Sequence, residues 1–205
     1  MAVTLERPAP PKAPPAPPRG NGGPGGRPDR ERSATLFVWL VVAAVGMFFL
    51  GLSSALLSRM GSVGWVPAPR PPVLWPGTAA LLGSSAALEA ARRAAYRGLL
   101  ARARVRMAWG LALGVGFLAA QLIGWGWLTS SGVGLAANPG ASYFYVLSGA
   151  HLVHVVGGLA WWALALRRTR HRAPAVAAVD LSNLSVYWHF LAALWLWLFA
   201  VLFTR

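Results

Sequence analysis

The chain has 205 residues, 56% of them hydrophobic and only 12% charged, with 11 Trp, 23 Gly, 16 Pro and no Cys, a profile foreign to a water-soluble domain. The missing cysteine excludes disulfides, zinc-thiolate sites, iron-sulfur clusters and thiol nucleophiles together. The formal charge of +14 sets 19 basic residues against five acidic ones, but the apolar residues gather into runs of bilayer-spanning length. Where the charges lie therefore matters more than their sum, and nucleic acid is not an expected partner.

Residues 1–34 hold nine of the sixteen prolines, five glycines and almost no large apolar side chain. Such a segment buries too little surface to offset its ordering entropy, which predicts a disordered tail with polyproline II character in its PAPPKAPPAPP stretch. No signal-peptide core precedes the first long apolar run, which begins only after Arg32. The remainder, 35–205, reads as an all-α membrane bundle.

The first predicted span, about 36–57, is uncharged throughout and reaches roughly 33 Å at about 1.5 Å per residue. Trp65 and Pro67, Pro69, Pro71 and Pro72 interrupt the chain before a second span, about 73–91. There Trp75 is placed as an interfacial anchor and Pro76 is tolerable in a first turn. Gly83, Ser84 and Ser85 make this the least apolar of the five. Six arginines from Arg92 to Arg106 separate it from the third span, about 107–128, whose one strongly polar group is Gln121. A Gly/Ser/Asn/Pro loop leads to the fourth, about 142–166, and an Arg-rich segment containing His171 leads to the fifth, about 184–203. Solvation is the expected state of His171.

Sixteen of the 19 basic residues fall in the tail, between spans two and three, and between spans four and five. Basic residues stay on the cytoplasmic side, so this alternation predicts five transmembrane helices with the amino terminus inside and the carboxyl terminus outside.

Ionisable groups within a bilayer cost several kcal/mol by insertion scales and mark where function should be sought. Glu89 stands three and four residues before Arg92 and Arg93, hence on one helix face; it reads as a helix-end ion pair or as a proton-relay carboxylate. His151 and His154 share a face of span four, placed for hydrogen bonds across a helix interface or for lipid contact. Metal or haem ligation fits them poorly, because a metal site needs three or four ligands and a clamped haem needs imidazoles from opposite sides. His189, beside Tyr187 and Trp188 in the first turns of span five, reads as an interfacial anchor or as a ligand for lipid phosphate. Gly110 and Gly114 make a G-x-x-x-G spacing on span three, and Gly157 and Gly158 thin span four, both allowing close helix approach. No phosphate-cradling loop, nucleophile-base arrangement or carboxylate pair is present. Small and aromatic residues occur nearly all round the spans, so hydropathy does not separate lipid-facing from protein-facing sides.

Several short patterns recur in a fixed order: Gly77-Thr78; Leu81-Leu82-Gly83-Ser84-Ser85 with Glu89; Gly116-Phe117-Leu118 with Gln121-Leu122; Phe144-Tyr145, Gly149, His151 and His154-Val155; and Tyr187-Trp188-His189-Phe190 with Trp195. With Met47-Phe48-Phe49 in the first span, this order resembles subunit III of the haem-copper (cytochrome c) oxidases, and the five spans resemble the short bacterial type.

The resemblance implies a cofactor-free accessory subunit in the bacterial inner (plasma) membrane, binding phospholipid and packed against catalytic subunit I and other respiratory-complex subunits. Haem and copper would lie in the partners. A related accessory protein of a nitric oxide reductase complex, and a free-standing transporter, are the rival readings. The chain departs from the family pattern where carboxylates are usual: Val45, Gly124 and Ala192 stand at those positions. A proton-antenna role carried by those carboxylates is not expected here. Glu89, Arg92, Arg93, Gln121, His151, His154, Trp188 and His189 are the candidate lipid-binding or interhelical polar residues.

Overall fold

The computed structural model describes residues 27–61, 65–67, 69–170 and 174–203. These form five α-helices, α1 (Arg27–Met60), α2 (Leu74–Tyr96), α3 (Leu100–Ser130), α4 (Pro139–Arg168) and α5 (Pro174–Phe203), with no strand among the described residues. Four of them, α1, α3, α4 and α5, are long and apolar enough to cross a membrane. α2 has the length, roughly 34 Å for its 23 residues, but not the hydropathy.

Prolines mark the helix starts, where a missing N–H costs no intrahelical bond. Pro28 and Pro76 lie in the first turns of α1 and α2, and Pro139 and Pro174 open α4 and α5. Asn138 caps α4, its side-chain oxygen accepting from Ala141 N–H at 2.8 Å. Gly98 (φ +74°) closes α2 with bonds from Gly98 N–H to Ala95 O and from Leu99 N–H to Ala94 O. This tight reversal, for which a left-handed residue is required, leaves only three residues between α2 and α3.

All five helices run beyond or start before the hydropathy-derived limits. α1 begins at Arg27, so residues 27–34, expected in the disordered tail, are helical; residues 1–26 and His171 lie outside the described residues. α3 begins at Leu100, taking in Arg102, Arg104 and Arg106, because a helix end outside the apolar layer can carry charge without breaking its backbone bonds. α5 begins ten residues earlier than the apolar run suggests.

Cross-helix contacts fix the directions. α2 and α3 are antiparallel, with Gly77 against Ala120 and Ala87 against Gly110. α4 runs antiparallel to α3 and α5, with Trp125 bonded to Ser148 and Gly158 against Trp188. α2 and α5 are antiparallel through Ser84–Trp188 and Thr78–Trp195. α1 lies parallel to α5, Thr35 pairing with Asn183 and Ser53 with Trp197. Helices α2–α5 thus close an up-down four-helix ring, and α1 flanks it against α5 and, more lightly, α4. One end of the bundle gathers Arg32, Arg92, Arg93, Arg97, Arg102, Arg104, Arg106, Arg167, Arg168 and Arg170; Arg59 and Arg70 lie at the other.

The position of α2 accounts for its weak hydropathy. Leu74, Gly77, Thr78, Leu81, Ser84, Ser85, Leu88, Ala91 and Ala95 recur every three or four residues along one buried stripe. That stripe faces α3 and α5 rather than lipid, so Thr78 and Ser84 find protein partners.

Candidate functional site

The interior is built by tryptophans set into glycines. Trp162, Trp188 and Trp195 are the largest fully buried side chains. A Cβ at Gly110 would stand 2.7 Å from Trp162 Cζ2, and one at Gly114 would meet Leu159 at 2.9 Å and the Trp188 ring at 3.1 Å. Gly158 meets the other part of the Trp188 ring at 3.2 Å. The G-x-x-x-G spacing therefore admits indole rings from α4 and α5, not a bare helix backbone.

Four indole N–H groups reach hydroxyls on other helices. Trp188 donates to Ser84 at 2.9 Å, Trp195 to Thr78 at 2.9 Å, Trp125 to Ser148 at 3.1 Å and Trp197 to Ser53 at 3.2 Å. Ser84, Thr78 and Ser148 in turn donate to carbonyls three or four residues back in their own helices. In an apolar interior each such pair avoids leaving an indole N–H unpaired, and hydrogen bonds of this kind measured in membrane proteins contribute about 0.6 kcal/mol on average, up to about 1.7.

The predicted polar residues divide into two groups. Gln121, His151, His154 and Trp188 belong to the interior. The His151 ring is fully buried, stacked on Trp195 (centroids 5.4 Å, 26°) and edge-on to Phe117 (6.0 Å) and Phe49 (6.4 Å). Neither ring nitrogen has a hydrogen-bond partner among the described residues; the same holds for both amide atoms of the buried Gln121. His154 is half-buried and turns back on its own helix, its Nδ1 2.7 Å from Ala150 O, while its carbonyl accepts from Tyr187 O–H at 3.2 Å. Trp188 is a core residue, and the early start of α5 puts Tyr187, Trp188 and His189 at mid-helix.

Glu89, Arg92, Arg93 and His189 form the second group, on the outer rim between α2 and α5. The Glu89 carboxylate accepts from Arg92 Nε and Nη2 at 2.8 Å each and from Arg93 Nε at 2.8 Å. An open groove of about 390 Å³ is lined by Glu89, Arg92, Ser182, Ser185, Val186 and His189. His189 Nδ1 is 2.6 Å from Ser185 O and 3.1 Å from its hydroxyl. Tyr96 and Ser182, hydroxyls 2.8 Å apart, close one end.

Val45 and Ala192 are buried, and a side chain at Gly124 would meet Leu74 at 3.2 Å. All three positions at which the family pattern has carboxylates are thus apolar interior sites. Among the described residues no three His, Asp or Glu side chains converge as a metal site. Sequence reasoning gave no structural role to Trp162, Trp195, Thr78, Ser84 or Ser148, although Thr78, Ser84 and Trp195 stand in the ordered patterns; the further signal was glycine on one helix set against tryptophan on another, legible only once the register is known.

Comparison with known proteins gives a family model, cytochrome c oxidase subunit III, matching residues 37–204. A probable cytochrome c oxidase subunit 3 of Mycobacterium bovis is 32% identical over 184 residues, covering 86% of this chain and 89% of the relative. Its counterpart in Nocardia farcinica is 31% identical with the same coverage. A cytochrome bo(3) ubiquinol oxidase subunit 3 of Pseudomonas putida is 33% identical over 44% of each chain.

Proposed function

Because the chain belongs to the cytochrome c oxidase subunit III family, it is a membrane-embedded accessory subunit of a haem-copper oxidase, and we propose that it packs against catalytic subunit I in a bacterial inner membrane. The match across residues 37–204 carries this reading. Haem and copper then belong to the partner subunits, and this chain supports the catalytic subunit through proton-coupled oxygen reduction.

In this reading all five helices cross the bilayer with the amino terminus inside. The alternating helix directions and the arginines collected at one end support that orientation, and α2, antiparallel to both α3 and α5, crosses sheltered by them. Residues 35–205 form the transmembrane domain, with α1 reaching eight residues further toward the amino terminus. Glu89, Arg92 and Arg93 face phospholipid head groups from the arginine-bearing end of the α2/α5 groove, and His189 lines the same groove deeper, at mid-helix. Gln121, His151, His154 and Trp188 hold the helices together inside.

Purification in mild detergent through a tag on this chain tests the assignment: subunit I and its haem absorption should co-elute. An oxidase that assembles and keeps full activity over many turnovers with this chain deleted would refute it.

A further inference from the structure

The buried layer at mid-bundle contains four polar atoms without a partner among the described residues, Oε1 and Nε2 of Gln121 and both ring nitrogens of His151. They belong to facing helices at one level. On α3, Gln121 stands one turn after Phe117, whose ring touches the His151 ring, and one turn before Trp125, which is bonded to Ser148. Ser148 and His151 are neighbours on a single face of α4. Gln121 therefore lies opposite the 148–151 turn.

Trp195 stacks on the His151 ring and Phe117 and Phe49 meet it at steep angles, so its ring neighbours are aromatic and leave its two nitrogens to some other polar partner. Two hydroxyls at the same level, Thr78 and Ser148, each donate to their own helix and accept one indole N–H, which leaves each an acceptor lone pair. Buried polar atoms in this condition are ordinarily satisfied by an internal water making two to four hydrogen bonds.

We propose that Gln121 and His151 together hold a buried water molecule that bridges α3 to α4 at the middle of the bundle. The water donates to the Gln121 carbonyl oxygen or the unprotonated ring nitrogen and accepts from the amide or ring N–H. It joins a layer in which His151 stacks on Trp195 and Trp195 is tied to Thr78, so all four helices of the ring are linked at one height. Such a layer opposes register slip, because sliding either helix by a turn strands the polar atoms in apolar surroundings.

A high-resolution cryo-electron microscopy map of the intact oxidase decides it without any variant. A water-sized peak within hydrogen-bond distance of both the Gln121 amide and a His151 ring nitrogen is expected; no peak, or the two side chains bonded directly, overturns the proposal. The second readout is the thermal midpoint of the complex carrying Gln121→Met, His151→Leu or both. Each single substitution should lower it by a few degrees, and the double should lose clearly less than the two together. Additive losses would mean that the residues share nothing. If a single variant fails to assemble, the native map alone decides.

Discussion

Replacing Gly110 by alanine should strain the bundle from two sides. The new Cβ would stand 2.7 and 2.8 Å from Cζ2 and Cη2 of Trp162 on α4 and 3.2 Å from the Ala87 methyl on α2. Carbon atoms pack best at about 3.5–4.0 Å, so the indole must retreat by roughly 0.8 Å. It has nowhere to go: Trp162 is fully buried and edge-on to the Trp188 ring at 5.0 Å, and Trp188 is pinned by its bond to Ser84. Overpacking of this kind costs about 1–3 kcal/mol, partly offset by about 1 kcal/mol of better helix propensity. Gly116, on the same helix with nothing within 4 Å of its would-be Cβ, is the control that keeps only the gain. The two variants should therefore differ by about 1–3 kcal/mol. The assay is the temperature at which the chain is lost from the purified complex on native gels. Equal behaviour of Gly110→Ala and Gly116→Ala would refute the packing account. So would an undiminished Gly110→Ala penalty in a Trp162→Phe background, where the clashing ring atoms are gone.

Ser84→Ala removes the acceptor for the Trp188 indole and should lower stability by about 0.6–1.7 kcal/mol; adding Trp188→Phe should remove most of that increment, as a double-mutant cycle on the thermal midpoint will show. Asn138→Ala deletes the α4 cap and should cost about 1 kcal/mol, read as faster amide exchange confined to the first turn after Pro139. Glu89→Gln breaks two ion pairs whose side chains are 24–69% exposed, so the loss should stay below about 1 kcal/mol and shrink at high salt. A larger, salt-independent loss would mean that Glu89 has a buried partner beyond these arginines.

How much the sequence disclosed differs by element. The uncharged run at 36–57 located the heart of α1, and the runs at 107–128 and 142–166 located α3 and α4 to within a few residues apart from their basic ends. The apolar run places α5 short because Asp180, Ser182 and Asn183 dilute its early turns, although Asn183 is buried and accepts from Thr35. The same dilution made α2 look marginal. In both cases polar groups that lipid would reject, Thr78 and Ser84 on α2 and Asn183 and Ser185 on α5, are satisfied by protein, a fact that hydropathy, counting residues one at a time, does not carry.

The sequence by itself determined the solvent, the five helices found among the described residues, and the family, because transfer of apolar runs into lipid is a one-dimensional rule and ordered motifs are read along the chain. Only the tertiary structure decided which faces meet. Lipid is as apolar as a protein core, so no hydrophobic contrast marks the buried side of a helix. That side is chosen by shape and hydrogen bonding between residues far apart in sequence: Trp162 seated on Gly110, Trp188 reaching Ser84, Trp195 reaching Thr78, and His151 and Gln121 enclosed at one level.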